Sequence, residues 1–381
     1  MTRQTALNKI KKEIEDIASR SYGDSALLLP KDRMPIGFFC PFVPEELIHA
    51  AGALPFRLMG APAQITHAQA HLPPYCCHLV KSSLESLLKG ELHFLKGVVF
   101  SHTCDSMKGL SDIWAHKGLL SLQFDLMTPA HLNSGRARPY FRAEMERFKD
   151  FLESNVGKIS PDDLKDSVRL FNRIRERLGE LYALRRGLID YIPGDYFARI
   201  IRAGYVMDRD RYLELLEELL DSLPEQGEAG EGDAPTPIYL AGNMTHMDTY
   251  FSLIEDAGAV VVGDDLCSGA RTFRLMVAED QDPLEALTER YFRSFFCPTK
   301  YLSPQAHLDT LVQEVADSGA QGVIFLLYKY CEPYFFDYPD LKSVLESKGV
   351  STLLLEVEDP FQSQEQLKVR IQAFVEMLGL V

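Results

Sequence analysis

Twice along the chain a continuously apolar run ends in a cysteine, an acidic residue and the start of a helix. The first is "LKGVVFSHTCDS", residues 95–106, and the second is "AQGVIFLLYKYCEP", residues 320–333. A run with no polar alternation cannot lie half in water. It must be buried on both faces, as strands of a parallel sheet are when helices cover them. A second echo, "EELIHAAGALPFRL" (45–58) against "FSLIEDAGAVVVGD" (251–264), repeats helix, Ala-Gly-Ala and strand. The expected fold is therefore α/β, with two related parallel-sheet domains of Rossmann or flavodoxin type.

The pattern divides the chain further. Residues 1–32 form an amphipathic helical arm. Residues 33–137 carry the first α/β domain, with strands expected at "MPIGFF", "LPFRLMG", "GVVFS" and "LLSLQFDL". Residues 138–235 are almost wholly helical and end in an acidic linker, "PEQGEAGEGDAPTP". Within them, Ser160-Pro161-Asp162-Asp163 is a strong helix start. Residues 236–381 carry the second α/β domain, closed by the helix "EQLKVRIQAFVEMLG".

Composition narrows the function. Of 381 residues, 46% are hydrophobic and 25% charged, as in globular proteins. A net charge of −15 argues against nucleic acid and against anionic membranes, since both select basic surfaces. The N-terminus lacks the apolar stretch of a signal peptide, and no run approaches the ~18 apolar residues of a membrane span. The expected location is the cytoplasm, where thiols stay reduced.

There are seven cysteines, too few and too odd in number for a disulfide framework. Their placement carries the information. Ligands of a parallel α/β sheet gather beyond the carboxyl ends of its strands, where helix N-termini lower thiol pKa values. Cys40, Cys104, Cys267 and Cys331 each follow an expected strand. Cys76 and Cys77 open a helix, and Cys297 lies in a loop. Singly, each cysteine also suits plain packing, and Cys76 suits it best. Together, in a cleft between two domains, they suit a metal site. No local CxxC pair is present, so a tetrahedral zinc knot is not indicated. Dispersed single cysteines suit an iron–sulfur cluster gripped by separate loops.

The segments "GFFCPFVPEELIHAAGALPFRL", "CHLVKSSL", "GVVFSHTCDSMKGLSDIW", "GVIFLLYKYCEPYFFDYPDLKSVLESKGVSTLLLEVE" and "VRIQAFVEML" resemble the 2-hydroxyacyl-CoA dehydratase family, which includes benzoyl-CoA reductase subunits and double-cubane-cluster reductases. The resemblance implies a cluster in the interdomain cleft. It implies a [4Fe–4S] cluster on Cys77, Cys104 and Cys331, with one iron open. It also implies an ATP-hydrolysing iron–sulfur activator that supplies a low-potential electron, an acyl-CoA substrate reduced to a ketyl radical, and a homologous second subunit. Cys40, Cys267 and Cys297 would bring the thiolates to six, matching the branch that carries a double-cubane [Fe8S9] cluster, works as a homodimer and reduces small molecules. A third reading is a non-catalytic partner that only holds or relays a cluster.

Other residues have two readings each. Glu46 and His102 are candidate acid–base groups, but a helix-start carboxylate and a satisfied loop histidine explain them too. Glu332 shares the ambiguity of Glu46. Thr103 and Ser106 are candidate donors to cluster sulfur. Lys108, Arg271 and Lys300 are candidate partners for CoA phosphates, or else solvated surface cations. Trp114, in helical register with Leu110, belongs to the core.

Overall fold

The computed structural model describes residues 3–61, 64–224, 235–243, 246–294, 297–358 and 364–379. Most of the expected acidic linker, residues 225–234, lies outside them. Two four-stranded, wholly parallel sheets organise the chain. The first contains β1 (Pro35–Phe38), β2 (Leu54–Arg57), β3 (Gly97–Ser101) and β4 (Leu122–Leu126), in the order β2-β1-β3-β4. The second contains β5 (Thr236–Gly242), β6 (Ala259–Asp265), β7 (Gly322–Tyr328) and β8 (Ser351–Val357), in the order β6-β5-β7-β8. The two orders are the same. In each sheet the chain adds its second strand on one side of the first strand and its third strand on the other. That reversal opens a crevice beyond the carboxyl ends of the two central strands.

The apolar runs explain the central strands. Every residue of β3 and β7 is buried. At the end of β5 the backbones are so close that a Cβ on Gly242 would run into the Leu326 carbonyl of β7. The expected strand over 119–126 is shorter at its start, where Leu119 is 43% exposed and precedes β4.

The helices are α1 (Arg3–Ser19), α2 (Tyr22–Ser25), α3 (Glu45–Ala50), α4 (His78–Leu88), α5 (Asp105–Lys117), α6 (Ala137–Asn155) and α7 (Pro161–Leu184), followed by α8 (Gly194–Val206), α9 (Arg209–Ser222), α10 (Met247–Glu255), α11 (Pro283–Arg293), α12 (Pro304–Ser318), α13 (Glu332–Ser347) and α14 (Gln364–Gly379). The start of α7 is the capping box its sequence predicts, with Ser160 and Asp163 each bonding the other's backbone N–H. Among the described residues no helix is long and apolar enough to cross a membrane.

The helical middle of the chain packs on the first sheet and reaches the second half through a helix. α6 lies against β4, while α8 touches β2, α1 and α10. The arm α1 buries Leu7, Ile10, Ile14 and Ile17, spaced to form one helical stripe. Trp114 is buried in the same core.

The pattern assigns no element to 283–293, yet α11 forms there and crosses to the first sheet's side. It packs on α6, with Leu284, Leu287 and Tyr291 joining Ile36, Phe38, Phe141 and Phe148 in one core. Tyr291 meets Phe42 edge-on at 5.1 Å. This crossing carries the segment after α11, with Cys297, back to the loop of Cys40.

Candidate functional site

The carboxyl ends of the two sheets face one cleft. Cys40, Cys77 and Cys104 line it from the first lobe, Cys267 and Cys331 from the second, and Cys297 from the segment after α11. All are free thiols. Cys76 is the exception among the cysteines: it is buried in the core and does not line the cleft.

The cysteines fall into two groups. Cys77, Cys104 and Cys331 are the N-cap residues of α4, α5 and α13. The amides of Val80, of Ser106 and Met107, and of Tyr334 face them and favour the thiolate, without closing a full capping hydrogen bond. Tyr330, immediately before Cys331, has φ 68°. That left-handed turn is costly for a tyrosine, and it sets the entry angle of α13.

Cys40, Cys267 and Cys297 form the second group, held by loops. Cys297 Sγ lies 3.2 Å from Thr299 Oγ1. Arg271 Nη1 donates to Cys267 Sγ at 3.3 Å, while the same guanidinium is clamped by both oxygens of Asp265, each at 2.6 Å. Behind it, Arg57 at the end of β2 donates to Phe39 O at 3.2 Å and to Cys267 O at 2.7 Å, tying the two lobes together. Its Nη1 is buried without a partner among the described residues.

Burial pushes the thiols up: Cys40 and Cys77 to about 12 and Cys331 to about 11, with Cys104 and Cys267 also raised. Mutual repulsion adds to burial. Cys40 feels Cys267 and Cys297, Cys77 feels Cys331 and Cys104, and Cys331 feels Cys267 across the groups. The opposing influences are local: Arg271 and Arg57 favour the Cys267 thiolate, and the Asn243 side chain favours that of Cys331. Alone, then, these are neutral thiols at neutral pH. Only a concentrated positive charge among them would ionise them together.

The donor set fits an iron–sulfur cluster. Six thiols face one cleft. Among the described residues, however, no three His, Cys, Asp or Glu side chains converge closely enough for a single metal ion. Ligands supplied singly by separate loops suit a multi-atom object better than one cation. Two buried polar atoms at the cleft lack partners among the described residues, Asn243 Oδ1 and Tyr334 Oη.

The remaining candidates are placed as follows. Glu46 does not line the cleft; it is buried in an ion pair with Arg175 beneath the first sheet. His102 bonds Asp125 at 2.9 Å, also outside the lining. Thr103, Ser106 and Glu332 line the cleft. Lys108 is an exposed surface cation 3.4 Å from Asp105. Arg271 and Lys300 are buried, not solvated. Lys300 Nζ donates to the Tyr291 and Ser294 carbonyls at 2.8 and 2.9 Å, sandwiched between the rings of Phe42 and Tyr291. Arg57, Asn243 and Tyr334 are site residues that sequence reasoning does not single out. The one available signal is position, since Arg57 ends β2 and Asn243 directly follows β5.

Fold and site thus define a class: a two-lobed parallel α/β protein whose interlobe cleft is lined by thiols from both halves. Within that class the chain belongs to the 2-hydroxyglutaryl-CoA dehydratase D-component family, which it matches over residues 40–378. It is 25% identical over 349 residues to the (R)-phenyllactyl-CoA dehydratase beta subunit of Clostridium sporogenes, covering 90% of this chain and 91% of that one. It is 28% identical to the lactoyl-CoA dehydratase subunit beta of Anaerotignum propionicum, with the same coverage. It is 25% identical to a benzoyl-CoA reductase subunit of Thauera aromatica, covering 91% of this chain and 92% of that one.

Proposed function

We propose that this chain is the iron–sulfur subunit of a low-potential reductase or dehydratase of this family, with a double-cubane cluster held by Cys40, Cys77, Cys104, Cys267, Cys297 and Cys331. The observation that carries the reading is that these six cysteines, and not Cys76, line one cleft. A single cubane on Cys77, Cys104 and Cys331 would leave three further thiols facing the same space without a role. The bound cluster would supply electrons at low potential, fed one at a time by an ATP-driven activator. Family membership supports an acyl-CoA substrate; the six-thiol set supports the small-molecule reductase working as a homodimer.

The residues divide the remaining work. Phe39, Leu79, Val80, Met107, Pro298 and Tyr328 give the cleft an apolar lining that keeps water from the sulfur atoms. The helix N-termini and Arg271 offset thiolate charge. Asn243 orients Cys331 by donating to its sulfur.

Because burial holds Cys40, Cys77, Cys104, Cys267 and Cys331 protonated in the metal-free protein, protons compete with iron there, and the competition weakens as pH rises. Iron retention against a chelator, corrected for the chelator's own protonation, is therefore expected to increase from about pH 6.5 to about pH 8.5. Retention indifferent to pH would mean that these thiols are not the ligands. Turnover of the loaded chain with a strong one-electron reductant, against panels of 2-hydroxyacyl-CoA thioesters and of small reducible molecules, tests the reaction. Redox-inert protein would contradict an enzymatic role.

A further inference from the structure

The two cysteine groups differ in the charged side chains around them. Among the described residues Arg271 is the one cation lining the cleft, and it contacts Cys267. Its charge is shared with Asp265, but a second guanidinium, Arg57, is 1% exposed behind the same loop and meets the Phe39 and Cys267 carbonyls and the ring of Tyr205. The other group has acids at its edge. Asp105 and Glu332, directly after Cys104 and Cys331, are exposed and line the cleft. Tyr330 beside them is 42% exposed, so this group faces the mouth. Cys267, by contrast, is flanked by buried Leu266 and Ser268.

We propose that the Cys40–Cys267–Cys297 side is the electron-storing side, with Arg271, backed by Arg57, as the residue that sets its potential. The inference rests on the double-cubane reading above. A fixed positive charge in a poorly hydrated site stabilises added negative charge far more than the same charge in water. Uptake is of one electron from a low-potential one-electron donor. No bond in the protein forms or breaks, and Arg271 keeps its proton throughout. Arg271 acts through Cys267 and is a positioning residue.

The test is a redox titration, followed by electron paramagnetic resonance, of the full chain loaded anaerobically, with iron counted in every sample. Arg271→Gln is expected to weaken the first electron uptake about tenfold, which for one electron is a midpoint about 59 mV more negative. Arg271→Lys, which keeps the charge, should restore most of the difference. Lys108→Ala, near the opposite group, should leave the first midpoint unchanged. Should Arg271→Gln not take up iron, the serine variants carry the test. Cys267→Ser should alter the spectrum of the one-electron-reduced protein, and more so than Cys331→Ser does. A first midpoint indifferent to Arg271→Gln, or a spectrum altered by Cys331→Ser alone, overturns the storage assignment while leaving the cluster in place. Wild-type protein without iron, or with iron that ignores Cys267, overturns the double-cubane reading as well.

Discussion

Arg175→Met is expected to cost about 3–5 kcal/mol of folding stability, the usual penalty for leaving one member of a buried ion pair alone. Glu46 and Arg175 have side-chain exposures of 1% and 6%. Arg175 is itself held by Asn172 Oδ1 at 3.1 Å, and Asn172 clasps the backbone of Val277. Burial pushes the Glu46 carboxyl up, but Arg175 and Arg290 outweigh it and hold the group below its usual range. A carboxylate with a depressed folded pKa stabilises the protein above its unfolded value, about 4.3, and loses that contribution as pH falls through the folded value. The gap between wild type and Arg175→Met should therefore be full at pH 7 and narrow below about pH 4.3. The double variant Glu46→Gln/Arg175→Met should regain at least half the loss, since neither member of the pair is then left alone. Chemical denaturation at the two pH values checks this. A change under about 1 kcal/mol at pH 7 would mean the pair is as weak as one on the surface. The pair fastens α3 to α7, and α3 begins just beyond the loop of Cys40. The test therefore also probes what braces one wall of the cleft.

The second large effect is on metal content. Cys331→Ala and Cys267→Ala are each expected to lose more than half of the iron of the anaerobically purified protein, although the two residues belong to different groups and different loops. Cys76→Ala should keep its iron, because Cys76 packs in the core beside its neighbour and faces no part of the cleft. Its cost is one of packing, on the order of 1 kcal/mol. Iron lost from Cys331→Ala but retained in Cys267→Ala would reduce the site to a single cubane on Cys77, Cys104 and Cys331.

How much of this was legible in the sequence depends on how local each feature is. Cys104 and Cys331 were visible because strand, cysteine, acid and helix follow one another, and the parallel-sheet rule puts that junction at a ligand edge. The two parallel sheets followed from fully apolar runs such as β3 and β7. Cys297 was not legible as a neighbour of Cys40, because their meeting depends on α11 leaving its own sheet to pack on α6. No periodicity in residues 283–293 announces which surface that helix will cover. Glu46 could be placed at a helix start, but its partner lies 129 residues away. Arg271 and Lys300 resemble solvated cations in sequence, since nothing local reveals burial. Asp265 at the end of β6 and the aromatic sandwich of Phe42 and Tyr291 are what make burial tolerable.

The central claim is most directly tested by measuring iron and acid-labile sulfide per chain on wild-type protein purified without oxygen. Six ligating thiolates predict about eight irons per chain, with a comparable amount of sulfide, as a double cubane requires. Protein that remains free of iron after anaerobic reconstitution would contradict the account and return the six cysteines to packing.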